Sequence, residues 1–166
     1  METDNNLKEA FAGESRANRK YTAFSERAEE EGFRNVAKLL KAASEAEAIH
    51  SARLLRVMKE VSSTAGNLEK GIEGETYEFT RMYPGFIEKA KSEGNNDAVT
   101  AFTYAMKAEE VHAKFYRQAL ERVKAGRDLD AQKFFLCPVC GNIALDAPPE
   151  RCPICGVPGS RFRKIE

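Results

Sequence analysis

Net charge is missing from this sequence. Lys and Arg total 26, Asp and Glu total 26, and the formal charge is zero. A neutral chain offers no basic surface for nucleic acid or an anionic membrane. Long apolar runs are missing too. No stretch approaches the roughly eighteen consecutive apolar residues of a membrane span, so none is expected. The opening METDNNLKEA has no basic segment followed by an apolar one. No signal peptide is therefore expected, and the expected compartment is cytoplasmic. Proline is scarce. Pro84 is the only one before residue 126, and the other five lie between 138 and 158. Cysteine is absent until Cys137, then appears four times by Cys155. In a reducing compartment such a cluster points to metal ligation rather than to disulfides. Histidine occurs only twice, at 50 and 112.

What is present up to about residue 126 is helical pattern. Glycines fall after charged runs, in EEEGF (29–33) and SEGNND (92–97), where helices stop. Asn95 or Asn96 can cap the helix that follows, with Asp97 in its first turn. SSTAGN (62–67) and AGRDLD (125–130) read as loops. Four helices are predicted, at about 4–31, 33–61, 67–93 and 96–125. In the second, Val36, Leu40, Ala43, Glu47, His50, Leu54, Val57 and Val61 step alternately by four and three. In the fourth, Ala98, Phe102, Ala105, Glu109, His112, Tyr116, Ala119 and Val123 do the same. These are heptad seams of an antiparallel bundle. The first helix offers Leu7, Phe11, Glu14, Ala17, Tyr21 and Phe24. The third offers Leu68, Ile72, Glu75, Phe79, Met82 and Phe86, with Glu78 beside Glu75. Every seam is apolar except at mid-height, where it is acidic.

Both histidines follow a glutamate by three residues, in Glu47-Ala-Ile-His50 and Glu109-Glu-Val-His112. Residues three apart share a helix face, so each pair can grip one ion. The arrangement is duplicated. Glu14 precedes Glu47 by 33 residues and Glu75 precedes Glu109 by 34. Each half is a helical hairpin with a Glu on one arm and Glu-x-x-His on the other. An isolated buried histidine is usually a hydrogen-bonded core residue, and an isolated Glu usually sits at a solvent edge. Seven such residues at matching heights in two halves fit neither description. A bundle core cannot hold five bare carboxylates and two imidazoles, because desolvation and repulsion are too costly. Two divalent cations remove the problem. Bridging oxygen ligands with one imidazole per metal suit iron or manganese better than zinc. Tyr21 and Tyr83 lie about two turns from Glu14 and Glu75. They are either ordinary core aromatics or hydrogen-bonding supports and proton sources for the ligand carboxylates.

From about residue 134 the chain is short and rich in Pro, Gly and Cys, too small to fold on an apolar core alone. Its prolines argue against further helix. Cys137-Pro-Val-Cys140-Gly and Cys152-Pro-Ile-Cys155-Gly are near-identical knuckles. Together they provide four sulfurs in tetrahedral reach of one metal, either structural zinc or a single redox iron. The glycine after each second cysteine permits the positive φ of such a turn.

FAGES around Glu14, EAIH at 47–50, GETYE at 74–78 with MYP at 82–84, AEEVH at 108–112 and the CPxCG pair resemble rubrerythrins over essentially the whole chain. The resemblance implies an all-α, ferritin-like four-helix di-iron domain over residues 1–130, and a rubredoxin-like domain over 131–166 with one iron on four thiolates. It implies Glu14, Glu47, His50, Glu75, Glu78, Glu109 and His112 as di-iron ligands, and Cys137, Cys140, Cys152 and Cys155 as ligands of the single iron. Glu78 matches the position that exchanges with the histidine matching His50 when one iron changes oxidation state. The implied activity is reduction of hydrogen peroxide to water. The implied electron source is NAD(P)H, acting through rubredoxin or an NAD(P)H-dependent reductase. The alternative is an iron-oxidising or iron-binding protein with a structural zinc ribbon.

One departure follows from length. Ferritin topology places a long crossover between the second and third helices. Here residues 61–67 reach at most about 25 Å, against helices about 40 Å long. Either a plain up-down bundle forms within one chain, or two chains exchange hairpins in a homodimer. The exchange is the expected solution because it keeps ferritin-like packing. Separately, a single chain is not expected to bring its two metal sites together, so electron transfer across a dimer interface is an expectation that geometry must decide.

Overall fold

The computed structural model describes residues 1–166, which fall into two compact units, Met1–Ser62 and Ser63–Glu166. The first unit is a hairpin of α1 (Glu2–Glu30) and α2 (Arg34–Val57). Its buried contact is lined by small and polar residues rather than by the predicted apolar seam. Ala28, Ala37 and Ser44 are buried. Asn18 Nδ2 donates to the carbonyl of Ser44 at 2.8 Å and to its Oγ at 3.0 Å. Ser44 Oγ donates to the Asn18 carbonyl, and Ser25 Oγ to the Ala37 carbonyl, both at 2.8 Å. Hydroxyls that find carbonyls let two helices approach closely without a large apolar filler. The seam residues pay for this with exposure: Phe24 is 51 %, Val36 49 % and Val57 57 % exposed.

The second unit contains α3 (Thr64–Tyr77), a π turn (Glu78–Met82), α4 (Tyr83–Ser92) and α5 (Asn96–Lys124), then the cysteine segment. Three boundaries correct the sequence reading. α2 stops at Val57, leaving Val61 of the predicted seam outside it. α3 begins at Thr64, because Ser63 caps it by accepting from the Gly66 N–H. The predicted 67–93 helix is also not continuous. At its middle the Tyr83 N–H bonds the Glu78 carbonyl, five residues back. Pro84 accounts for the break. It has no N–H, and in a regular helix its ring collides with the carbonyl four residues earlier; one wide turn absorbs the misfit. The expected cap holds, with Asn95 accepting from the Ala98 N–H at 3.0 Å.

Residues 134–165 form a small antiparallel sheet in the order β2-β1-β3, from β1 (Phe134–Leu136), β2 (Ile143–Leu145) and β3 (Arg163–Ile165). The only helix-like piece is one 3-10 turn at Gly159–Arg161. Cys137, Cys140, Cys152 and Phe162 form its core, and Tyr104 of α5 packs against them. Every buried side-chain polar atom has a partner. No helix is long and apolar enough to cross a membrane.

Candidate metal centres

The structure gathers the predicted carboxylates and histidines into two clusters, one in each unit. Glu14, Glu47 and His50 form the first, and Glu75, Glu109 and His112 the second, with ligand atoms within 4.8 Å of one another. The duplication extends to single atoms. His50 Nδ1 lies 2.8 Å from Glu47 Oε2, and His112 Nδ1 lies 2.7 Å from Glu109 Oε2. Glu14 Oε2 is 3.8 Å from His50 Nδ1. Adjacent ligands on an ion at about 2.1 Å stand about 3 Å apart, so both pairs are spaced as ligands of one ion. The Glu-x-x-His spacing produces this directly, since one helical turn stacks the two side chains.

The electrostatics point the same way. Glu14 and Glu47 share a hydrogen bond, which raises Glu14 and lowers Glu47 from the ordinary carboxylate value. Two carboxyls in contact can share only one proton unless a cation replaces it. Burial, then the hydrogen bond and charge of Glu109, push Glu75 up to about 8. Burial and the charge of Glu109 also raise Glu78. Glu78 thus faces the second cluster without joining its closest three residues. Each cluster, by itself, offers the donor set and spacing of a cation site.

Of the two expected tyrosines, Tyr83 lies in this field. Burial raises its hydroxyl first, then the charges of Glu78, Glu109 and Glu75. Its ring packs on Phe102 at 6.1 Å. Tyr21 packs on Phe24 at 6.2 Å, and no hydrogen bond joins it to Glu14 or Glu47. The sequence reading passed over Tyr116. Burial raises it, then Glu75 and Glu109. A Cβ on Gly71 would come within 3.1 Å of its ring, so that glycine is what lets the ring lie on α3. The signal was available: Tyr116 follows His112 by four residues and Gly71 precedes Glu75 by four.

The four cysteines are unpaired thiols. Their sulfurs stand 3.6 Å apart from Cys137 to Cys155 and 3.5 Å from Cys140 to Cys152. A disulfide needs about 2.05 Å, whereas the edge of a tetrahedron with metal–sulfur bonds of about 2.3 Å is close to 3.8 Å. Gly141 and Gly156 take φ of 78° and 75°, as the knuckle turns require. Backbone N–H groups point at sulfur. Burial acts to raise Cys152, but the N–H groups of Cys155 and Ile154 outweigh it and bring that thiol down to about 7. The Asn142 N–H bonds Cys140, which burial nevertheless holds high.

The two kinds of site meet within one unit. His112 Nε2 lies 3.0 Å from the carbonyl of Gly141, the glycine of the first knuckle. A carbonyl can only accept, so Nε2 donates to Gly141, which leaves Nδ1 as the ring nitrogen on the Glu109 side. Tyr104, two turns earlier on α5, packs against the cysteine core. This corrects the expectation that a single chain could not bring its thiolate site near its own carboxylates. The knuckle folds back along the face of α5 that carries His112.

Family comparison agrees with this combination. A family model described as Rubrerythrin matches residues 5–120. Another, described as Rubrerythrin, rubredoxin-like domain, matches residues 135–163. The chain belongs to the rubrerythrin family. Nigerythrin of Nitratidesulfovibrio vulgaris is 42 % identical over 171 residues, covering 95 % of this chain and 83 % of that protein. Rubrerythrin-2 of Clostridium acetobutylicum is 36 % identical, covering 95 % and 93 %. Among solved structures, mixed-valence nigerythrin matches with a TM-score of 0.58 at 42 % identity, over 97 % of this chain and 85 % of that one. Fully reduced, all-ferrous nigerythrin matches with 0.59 at 40 % identity. The fold class is accordingly ferritin-like all-α with an appended rubredoxin-like knuckle segment. The chain has the Glu/His clusters of the family's di-iron site and its four-cysteine iron site.

Proposed function

We propose that this rubrerythrin is a non-haem di-iron peroxidase that reduces hydrogen peroxide to water. Its electrons arrive through the four-cysteine site from NAD(P)H, carried by rubredoxin or an NAD(P)H-dependent reductase. The observation that carries this reading is the ring of His112, bonded to Glu109 on one side and to the first knuckle on the other. An iron store needs no bridge between a thiolate site and its carboxylates.

In this reading Glu14, Glu47 and His50 hold one side of the di-iron centre, and Glu75, Glu78, Glu109 and His112 the other. Cys137, Cys140, Cys152 and Cys155 hold the single iron. The division of labour falls near residue 130. When bound, two ferrous ions supply one electron each to a peroxide O–O bond. The chain's residues do the rest. The carboxylates would balance the charge of the ions. Glu78 would be the alternative ligand to His50. Tyr83 and Tyr116, which burial and the nearby acids hold protonated at neutral pH, stand in the field of the carboxylates and would supply the protons that water formation consumes. Tyr21, which packs on Phe24, has no such place beside the first cluster. His112 keeps its Nδ1 on the acids because Gly141 holds its Nε2–H.

The working form in this reading is a homodimer with exchanged hairpins. The exposed apolar residues of the α1–α2 hairpin, Phe24, Val36 and Val57 among them, support it, because such a surface is stable in water only when covered. Glu14, Glu47 and His50 of one chain then serve with the second cluster of the other. Anaerobic metal analysis combined with a reductant-coupled peroxide assay tests the function. Three irons per chain and peroxide-dependent oxidation of the reductant are expected. Zinc on the cysteines and no turnover would remove the reading.

A further inference from the structure

The two knuckles are copies in sequence but not in surroundings. At the same position of each, the carbonyl of the closing glycine accepts a different donor. Gly141 accepts from His112 Nε2 at 3.0 Å, whereas Gly156 accepts from Arg151 Nη1 at 3.1 Å. The first carbonyl is joined to the Glu/His cluster. The second is joined to an exposed guanidinium. Among the four sulfur ligands, burial singles out one cysteine of the second knuckle. Cys137 and Cys140 of the first knuckle are 1 % and 9 % exposed, and Cys152 is 3 % exposed. Cys155 alone is not buried.

Charge is also unequally spread. The chain is neutral as a whole, yet residues 131–166 carry five bases, Lys133, Arg151, Arg161, Arg163 and Lys164, against three acids, Asp146, Glu150 and Glu166. Four of those bases follow Glu150. Arg151 bridges to Pro158, and the Arg161 N–H bonds the Pro158 carbonyl, so the two arginines lie at one loop beside the second knuckle. Both are exposed.

We infer that the second knuckle is the electron inlet, with the Cys155 edge and Arg151 forming a docking surface for an acidic one-electron carrier protein, while the first knuckle is the outlet toward His112. This rests on the reading of the four-cysteine site as a redox iron, and it adds where electrons enter and what sort of surface delivers them. Each encounter passes one electron. The carrier is oxidised by one, the ferric thiolate site becomes ferrous, and no bond or proton moves. Two encounters supply the pair of electrons that one peroxide consumes. Complementary charge mainly speeds the encounter and fixes its orientation, so the docked face must be the cationic one.

The test needs no peroxide, so a failed peroxidase assay would not bear on it. The zinc-loaded, redox-inert full chain is labelled with ¹⁵N and titrated with a purified rubredoxin of net negative charge. Amide shifts centred on Arg151, Ile154, Cys155 and Gly156 are expected. Affinity should fall about tenfold between about 20 and 200 mM salt. Arg151→Glu should weaken binding about tenfold or more at low salt. Arg161→Glu, which leaves the bond to Gly156 intact, should do so less strongly, and guards against a knuckle loosened by the first change. A second readout is the rate at which the same reduced carrier bleaches the iron-loaded protein, which should fall in parallel. Shifts centred on Pro138 and Val139 would make the first knuckle the inlet and overturn the proposal. So would binding that is indifferent to salt and to both substitutions.

Discussion

At the scale of single residues, the acids are the most informative groups. Glu75 is pushed from 4.5 to about 8, first by burial and then by Glu109. Below about pH 4.5 this carboxyl is neutral in both folded and unfolded chains. Between 4.5 and 8 the unfolded chain releases the proton while the folded chain keeps it, so ionisation favours unfolding. Metal-free protein should therefore lose thermal stability as pH rises across that window and level off above it. Glu78, raised in the same direction, adds to the trend. Bound cations replace the shared protons and should flatten the curve. Melting temperature against pH, with chelator and with ferrous ion, checks both statements. Glu78 also gives a functional prediction. Glu78→Ala should slow peroxide turnover about tenfold or more, with little loss of folding, because it lies outside the closest three-residue cluster. Unchanged turnover in the coupled assay would count against its ligand role. The carboxylates and both histidines could be picked out from the sequence, since polar residues in apolar seams are visible without coordinates. Tyr116 was harder to find, because an aromatic on a seam looks like core until its neighbour Gly71 is seen beneath it.

At the scale of elements, the π turn is the main surprise. A single proline was visible at position 84, but the pattern around it continued as a helix, and heptad counting has no way to register one added residue per turn. The turn matters because it begins at Glu78. Restoring a regular helix would rotate Glu78 relative to Glu75 and Tyr83. Pro84→Ala supplies the missing N–H and relieves the ring clash. The variant should be as stable as the parent or more so, and its peroxide turnover should fall about as far as that of Glu78→Ala. Thermal melts and steady-state rates measured side by side decide it. The hairpin contact of α1 with α2 was likewise hidden. Asn18, Thr22, Ser25 and Ser44 lie outside the predicted seams, yet their hydroxyls and amide bond across the interface. Hydrogen-bonding capacity satisfied by a partner helix and the same capacity satisfied by water give identical sequence patterns.

At the scale of the whole molecule, the proposal that two three-residue clusters serve one dinuclear centre can be tested by complementation. Hairpin exchange makes a quantitative prediction. Chains carrying Glu47→Ala and chains carrying Glu109→Ala are each inactive alone. Co-expressed, half the dimers are mixed, and each mixed exchanged dimer has one intact centre and one doubly altered one. About a quarter of parent activity should return. Without exchange every centre keeps one lesion, and nothing should return. The Glu/His clusters and the four-cysteine site could be read from motif order. The meeting of His112 with Gly141 could not, because it depends on how a short knuckle folds back onto α5, and no local spacing encodes that.

The most direct test of the account is an anaerobic stopped-flow experiment on fully iron-loaded protein. Reduction should bleach the visible iron–thiolate colour. Mixing with hydrogen peroxide should then bring the colour back as the thiolate iron gives its electron to the carboxylate site. A His112→Ala variant, although its thiolate iron is intact, should recolour about a hundredfold more slowly. Colour that stays bleached in the parent protein, or a four-cysteine site that is colourless and filled with zinc, would contradict the claim that this chain carries electrons from its cysteines to peroxide.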